Sequence, residues 1–269
     1  MGGGGVVMGT RVIRRGKVWL VGAGPGDPEL LTVRAARLLA HAEVLAYDEL
    51  ISEEILALAP PPCERIAVGR RANGCKHHDE RIHPLVIERA LQGRDVVRLK
   101  GGDPLVFGRG GEEAEELAAA RVPFEIVPGI SAALGAAAST HIPLTHRDEA
   151  SSVTFATAHS AKADGDPKLA VTLPITGTVV LYMGLGRLAD TARAMIAAGR
   201  DAETPAAIIQ NATRKDQRVV IATLGTLDRE AKSAGIQAPA VIIVGDVVAR
   251  AVASPAQGRG LIELASAAG

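Results

Sequence analysis

The chain has 269 residues, 47% of them hydrophobic and 22% charged, which is the balance of a globular protein with a full core. Its 30 basic and 30 acidic residues cancel, so no overall field attracts nucleic acid or an anionic membrane, and an aromatic content of 2% excludes a surface that stacks single-stranded bases. No apolar run is long enough to span a bilayer and the only cysteines are Cys63 and Cys75, so we expect a cytoplasmic protein without a disulfide framework.

The first half alternates short apolar runs with segments of helical periodicity. Apolar runs predict strands at Val18–Val21, Glu43–Tyr47, Glu64–Val68, Asp95–Leu99 and Phe124–Val127. The spacing of apolar residues predicts helices at Thr32–His41, from Ser52 to the prolines at Pro60, at Asp79–Leu91, Gly111–Ala120 and Ser131–Thr140. This β-α-β alternation predicts a largely parallel sheet covered by helices.

The second half has more strands and fewer long helices. Strands are predicted at Val153–Thr157, Thr178–Tyr182, Ala206–Gln210, Arg218–Ala222 and Ala240–Val244. The turn after Ala222 favours an antiparallel neighbour, so this sheet is expected to be mixed. We predict a flexible leader (1–16), an N-terminal α/β domain (17–144), a C-terminal α/β domain (145–251) and a flexible tail (252–269).

Several unusual loops follow the predicted strands of the first half. Ligands bind beyond the carboxyl ends of the strands in an open parallel sheet, so these loops are expected to converge on a site. The loops are Gly22–Asp27, Tyr47-Asp48, Gly69–Arg71, Gly101–Asp103 and Pro128–Ser131.

The first and fourth loops each have more than one interpretation. Gly22–Asp27 resembles a dinucleotide loop with Asp48 as the ribose ligand, but the third glycine of that pattern falls at Asp27; a Rossmann-like methyltransferase loop and a plain strand-to-helix turn stay open. In the fourth loop, Gly101 and Gly102 allow close approach to a ligand and Asp103 can accept hydrogen bonds from it, although Asp103 can equally cap a tight turn.

Longer blocks carry a more specific resemblance, which runs from about Lys17 to Val248. The chain resembles the uroporphyrinogen-III C-methyltransferase family, which makes precorrin-2 for sirohaem and cobalamin. The matching blocks are Val18–Pro28, Tyr47-Asp48, Arg98–Pro104, Phe107–Glu113, Val127–Ile130, Ile142–Asp148 and Tyr182–Gly184.

The resemblance implies a class III methyltransferase. Such an enzyme is a homodimer of two-domain chains, with a folded S-adenosylmethionine in the cleft between the domains and S-adenosylhomocysteine as product. The implied cofactor contacts, most of them through backbone groups, are Pro25, Gly101, Gly102, Asp103, Val106, Ser131, Ala132, Met183, Ala212 and Pro239.

The resemblance also implies catalytic and substrate-binding residues. It makes Asp48 the candidate base, although Asp48 can also be a helix cap near Ser52. Arg70 stands where the family usually has a lysine that is a candidate proton donor; its guanidinium holds a carboxylate but is a poor acid. The substrate is a polycarboxylate, and its candidate ligands, each of which can instead be a solvated surface charge, are Arg71, Arg98, Arg109 and Arg147.

Departures from the family pattern keep other functions open. Asn73, Cys75, Asp79 and His83 replace the usual residues of one segment, which motivates a later corrin precursor as the acceptor. An oxidoreductase that uses NAD or NADP is a weaker alternative. Cysteine and histidines in the same segment match no strong ligand spacing, so we expect no metal site.

Overall fold

The computed structural model describes residues 15–68, 82–158, 173–252 and 263–264. These residues form two sheets, a five-stranded one in the first half of the chain and a six-stranded one in the second. Every pairing in the first sheet is parallel, whereas the second contains parallel and antiparallel pairs. The α/β class, with a parallel N-terminal and a mixed C-terminal sheet, is confirmed.

The first sheet is buried on both faces. Its strands are β1 (Val18–Gly22), β2 (Val44–Tyr47), β3 (Glu64–Ala67), β4 (Val96–Lys100) and β5 (Phe124–Val127), arranged in the order β3-β2-β4-β1-β5. Alternate residues point to opposite faces: Val18 and Leu20 pack in one core and Val21 packs in the other. Because all strands run in one direction, their carboxyl ends lie at one edge, where the loops begin.

Helices follow each strand of this sheet. They are α1 (Val33–Ala40), α2 (Glu53–Leu56), α3 (Pro84–Leu91), α4 (Gly110–Ala119) and α5 (Ala132–Thr140). Thr32 caps α1, since its Oγ1 accepts a hydrogen bond from Ala35 N at 3.1 Å. Helix α3 begins at Pro84, and His83, which the predicted helix Asp79–Leu91 includes, is extended and caps it; Asp79 lies outside the described residues.

The second sheet has the order β11-β9-β8-β10-β7-β6. Its strands are β6 (Val153–Thr157), β7 (Thr178–Tyr182), β8 (Pro205–Gln210), β9 (Arg218–Thr223), β10 (Ala240–Val244) and β11 (Glu263–Leu264). The predicted antiparallel neighbour of β9 is β8. Helices α6 (Leu188–Ala197) and α7 (Leu227–Ser233) pack on one face of this sheet. In the described part of the chain no helix has the length and apolarity needed to cross a membrane.

Helix α5 connects the two halves of the fold. It follows β5 of the first sheet, yet Ala133, Ala136 and Ile142 pack in the same core as residues of β7, β8 and β10. By packing it therefore belongs with the second sheet, although the domain boundary expected at residue 144 counts it with the first. Most of the expected leader and tail lies outside the described residues; Glu263–Leu264 of the tail pairs with β9 as β11.

Candidate functional site

The carboxyl-terminal edge of the first sheet gathers the loops that follow its strands. The strand order places the ends of β2, β4, β1 and β5 side by side. The first and fourth loops are joined by backbone hydrogen bonds, Gly102 N to Gly24 O at 2.8 Å and Gly24 N to Gly102 O at 3.2 Å. The convergence expected from the sequence is therefore present for every one of these loops that is described.

Three glycines, Gly22, Gly102 and Gly129, let these loops pack backbone against backbone; we call them the glycine row. A Cβ on Gly22 would lie 2.5 Å from Gly129 N and 2.7 Å from Gly102 O, and one on Gly129 would lie 2.8 Å from Gly22 Cα. Gly102 has a φ of +66°, in the left-handed region that favours glycine. Beside the row, a Cβ on Gly101 would meet nothing within 4 Å, so the loop keeps open space there.

Asp103 holds two of these loops together. Its Oδ1 accepts a hydrogen bond from Leu105 N at 2.8 Å, and its Oδ2 accepts one from Gly129 N at 3.0 Å. The turn-capping interpretation of this residue is therefore present in the structure. Each carboxylate oxygen has a further lone pair, so contact with a cofactor remains a compatible prediction. Val106 N continues the turn by donating to Asp103 O at 3.3 Å.

Residues of the second half approach the same edge. Thr213 Oγ1 accepts a hydrogen bond from Asp27 N at 3.2 Å, and Gly135 of α5 allows both Thr213 and Pro25 to approach it closely. The backbone of Asn211, next to the predicted contact Ala212, donates to Pro239 O at 3.1 Å.

Further predicted contacts lie around the loop after β4. Gly102 lies against the turn of Ser131 and Ala132, since a Cβ on Gly102 would be 3.6 Å from Ala132 N. Met183 is exposed and has a φ of 52°. The structure thus brings Gly102, Ser131 and Ala132 together, and it places Thr213, the neighbour of Ala212, against the first loop.

A group of four charged residues, which we call the charged cluster, lies beside the glycine row. Arg98 and Lys100 are on the same face of β4, Asp48 follows β2, and Glu113 comes from α4. Arg98 Nη2 donates to Asp48 Oδ1 at 2.6 Å and to Glu113 Oε1 at 2.9 Å, and Lys100 Nζ donates to Glu113 Oε1 at 2.8 Å. Arg98, Lys100 and Glu113 are at most 5% exposed, whereas the Asp48 side chain is 31% exposed.

Burial and neighbouring charges set the protonation of the two buried cations. Burial would lower the pKa of Arg98, but the carboxylates of Asp48 and Glu113 raise it above its usual value. The pKa of Lys100 is lowered by burial and by the positive charge of Arg98, and Glu113 only partly opposes this effect. Two cations and two carboxylates balance the cluster, which is how buried charges are tolerated.

Arg98, predicted to bind substrate, has a guanidinium that is already engaged. Its Nε donates to Glu113, its Nη1 to Leu99 O at 3.1 Å and its Nη2 to both carboxylates. These hydrogen bonds indicate that Arg98 holds the Asp48 carboxylate rather than binding substrate directly. Asp48 is accordingly an ion-pair partner of Arg98, and the α2 cap is Ser52.

The remaining predicted arginines are distributed differently. Arg109 precedes α4 with a φ of 59° and keeps 54% of its side chain exposed near Glu112. Arg147 is exposed as well. Arg70 and Arg71 lie outside the described residues, as do most of the residues that depart from the family pattern, namely Asn73, Cys75 and Asp79. Among the described residues no group of histidine, cysteine and carboxylate side chains is arranged to hold a metal.

The sequence prediction of the site missed Lys100, Glu113 and Tyr182. The signal for the first two was present: a buried parallel strand with two cations on one face needs an acidic partner, and α4 begins with Glu112 and Glu113. Tyr182 precedes a predicted contact, but its partners on α5 cannot be read from local spacing.

The family is decided by comparison with known proteins. The profile of the tetrapyrrole (corrin/porphyrin) methylases matches residues 17–228, which is most of the chain and includes the first sheet and β6 to β9 of the second. The chain belongs to this family. The resemblance expected from the sequence blocks is therefore confirmed, and a nicotinamide-dependent oxidoreductase does not fit this family of methylases.

Curated relatives of this tetrapyrrole methylase include siroheme synthases. A siroheme synthase from Stutzerimonas stutzeri (strain A1501) is 50% identical over 233 residues, which are 87% of this chain and 50% of that protein. The chain thus spans about half the length of the curated relatives it matches.

Solved structures match nearly their whole length. A uroporphyrin-III C-methyl transferase from Thermus thermophilus, complexed with S-adenosylhomocysteine, is 40% identical with a TM-score of 0.73, and the match covers 87% of this chain and 93% of that one. A cobalt precorrin-4 methyltransferase is 28% identical with a TM-score of 0.74, and the match covers 86% and 95%.

Proposed function

We propose that this chain transfers methyl groups from S-adenosylmethionine to pyrrole carbons of uroporphyrinogen III, giving precorrin-2 for sirohaem or cobalamin synthesis. The observation that carries the proposal is the open space at Gly101, in the loop after β4, together with the partly exposed carboxylate of Asp48 after the neighbouring strand β2. The Thermus thermophilus relative, a uroporphyrin-III C-methyl transferase with S-adenosylhomocysteine bound, supports the same substrate and cofactor.

The loops at this edge fit a cofactor that is bound mainly through backbone groups. The open space beside Gly101 and the packing of the glycine row leave room for a ligand against the main chain. We propose that Pro25, Gly101, Gly102, Asp103, Val106, Ser131, Ala132, Met183, Ala212 and Pro239 contact it. When bound, S-adenosylmethionine supplies a methyl group already activated by its sulfonium.

The chain then has two tasks, to align the pyrrole carbon and to receive a proton. We expect alignment and exclusion of water to come from the packed loops and from Thr213, which contacts the first of them. Once the carbon carries its new methyl group, the macrocycle loses a proton, and we propose that Asp48 accepts it. Arg98 holds the Asp48 carboxylate from behind through its 2.6 Å hydrogen bond.

We propose that four arginines bind the substrate carboxylates. Arg109 and Arg147 keep their side chains accessible, and Arg71 and Arg70 belong to the same proposed set; for Arg70 we propose carboxylate binding in place of proton donation. Planar guanidinium groups pair with carboxylates through two parallel hydrogen bonds, which suits a polycarboxylate substrate.

One experiment tests the proposed function directly. S-Adenosylhomocysteine is titrated into the protein by calorimetry, and uroporphyrinogen III with S-adenosylmethionine is then incubated with it under anaerobic conditions. We expect binding, and products heavier by one or two methyl groups in the mass spectrum. Absence of binding would overturn the proposal, and a parallel incubation without the protein identifies any product formed without its chemistry.

A later corrin precursor is the second candidate acceptor. The cobalt precorrin-4 methyltransferase with a TM-score of 0.74 favours it, together with the departures from the family pattern at Arg70 and Asn73. Binding of S-adenosylhomocysteine without methylation of uroporphyrinogen III, followed by methylation of a precorrin, would establish this alternative.

We also propose a cytoplasmic homodimer in which residues 17–144 and 145–251 form two domains. The balanced charge and the exposed apolar side chains Leu105 and Leu134 near the site support association with a second copy. Light scattering at micromolar concentration checks this proposal, and a mass of one chain would contradict it.

A further inference from the structure

The hydroxyl of Tyr182, which lies on a strand of the second sheet, caps helix α5. Tyr182 is the last residue of β7, and its hydroxyl accepts a hydrogen bond from Ala133 N at 3.1 Å and lies 2.5 Å from Ser131 Oγ. Ser131 is the N-cap residue of α5, yet its side chain makes no capping hydrogen bond. The Tyr182 hydroxyl therefore occupies the acceptor position that an N-cap side chain normally fills.

The ring of Tyr182 contacts a second segment of the site. Its centroid lies 4.8 Å from that of Phe107, at an interplanar angle of 49°. Phe107 and Met183 have φ values of 54° and 52°, in the left-handed region that residues other than glycine rarely adopt. Such conformations persist only where surrounding contacts hold them, and they concentrate at functional sites.

We propose that Tyr182 is a positioning residue that fixes the two halves of the cofactor site relative to each other. Its hydroxyl holds the turn of Ser131 and Ala132, its ring supports Phe107 in the loop after β4, and its backbone leads into Met183. This inference rests on the proposed function, because those segments are the proposed cofactor contacts. Tyr182 acts through them and touches no reacting atom.

The inference predicts a loss of binding without a loss of chemistry. Without the hydroxyl, Ala133 N–H has no acceptor in place, and the Ser131–Ala132 turn must shift or bind water in its stead. Cofactor affinity then falls, because part of the binding free energy is used to restore the turn. The reaction of the bound complex continues at its normal rate, since Asp48 and Arg98 are untouched.

The test uses Tyr182→Phe, which removes the hydroxyl and keeps the ring. We expect the dissociation constant for S-adenosylhomocysteine to rise about five- to tenfold by calorimetry, with KM for S-adenosylmethionine rising in parallel and kcat staying within about twofold. Ser139→Ala is the matched control: it removes a hydroxyl from the last turn of α5, where Ser139 Oγ donates to Ala136 O. We expect the control to bind like the wild type.

Each other outcome is decisive. Equal affinity of Tyr182→Phe and the wild type overturns the inference, as does a fall in kcat with unchanged affinity. If the wild type itself binds no S-adenosylhomocysteine, the proposed function fails, and amide exchange in the free protein then tests the cap. Exchange at Ala133 at least about tenfold faster in Tyr182→Phe than in the wild type supports a cap made by Tyr182, whereas equal exchange rates overturn it.

Discussion

The glycine row and the charged cluster lie next to each other at one edge of the same sheet and are built on opposite principles. The row is uncharged, and its glycines are needed because any side chain there would prevent the close packing of the loop backbones. The cluster is a set of buried charges in which each member is held by another. Under the proposed function, the row shapes the cofactor site and the cluster holds the group that we propose takes the proton.

The largest expected effect comes from removing the charge of Asp48. Asp48→Asn keeps the size of the side chain but can no longer accept the proton, so we expect kcat to fall about 100-fold or more. The dissociation constant for S-adenosylhomocysteine should stay within about threefold, because the glycine row is intact. Asp190→Asn, on the exposed face of α6, is the control. Full activity of Asp48→Asn would show that water or another group takes the proton.

The second prediction concerns Glu113, the buried carboxylate of the charged cluster. Glu113→Gln leaves Arg98 and Lys100 side by side without their shared carboxylate, and we expect the free energy of unfolding to fall by about 3–5 kcal/mol. The value of kcat should fall as well, because Arg98 is no longer fixed behind Asp48. Denaturant titration and steady-state kinetics measure both effects.

A double variant separates charge from packing in that result. Adding Lys100→Met to Glu113→Gln removes the unpaired cation and leaves Arg98 with Asp48, so part of the lost stability should return. If the double variant is less stable than Glu113→Gln, the cluster is not balanced as described.

The third prediction separates the two uses of glycine in the row and beside it. Gly129→Ala places a methyl group against the backbones of Gly22 and Gly102, so Tm should fall by about 5–10 °C and binding should be lost. Gly101→Ala adds its methyl group to open space, so Tm should change by less than about 2 °C while the dissociation constant rises about fivefold. Gly111→Ala is the control, since its methyl group also meets open space, but in α4. Unchanged affinity in Gly101→Ala would remove that loop from the cofactor site.

The smallest expected effect lies at the opposite end of the strands. Burial alone would raise the pKa of Glu64. Hydrogen bonds from Arg94 and Arg89 outweigh this effect and lower the pKa below its ordinary value of 4.5. A lowered carboxyl pKa stabilises the fold above that ordinary value, and the stabilisation is lost as pH falls through the folded-state pKa.

We therefore expect Glu64→Gln to lower Tm by about 1–3 °C at pH 7. The difference should disappear in melting curves recorded well below pH 4, and activity should be unchanged at neutral pH. A change in kcat would contradict the view that this edge serves stability alone.

The sequence predicts the glycine row better than it predicts the charged cluster. Loops that need glycine are recognisable from their glycine-rich sequence. The predicted limits of the strands before them, such as Phe124–Val127, match the observed limits. The partners of a buried charge come from elements distant in the sequence. The sequence predicts that Arg98 binds substrate, and only the placement of α4 and the pairing of β2 with β4 show that Glu113 and Asp48 engage it. Packing of α5 with the second sheet likewise depends on tertiary contacts, which local spacing does not encode.

The strand order β3-β2-β4-β1-β5 also constrains how the chain can acquire its structure during synthesis. Both hydrogen-bonded neighbours of β1 come later in the chain, so Val18–Gly22 has no partner until Val96–Lys100 has left the ribosome. The only strands of this sheet that can pair earlier are β2 and β3. Such non-local pairing slows folding and leaves apolar edges exposed to other chains in the meantime. Fragments that end before residue 96 should therefore aggregate, however well each of their segments is suited to its own local structure.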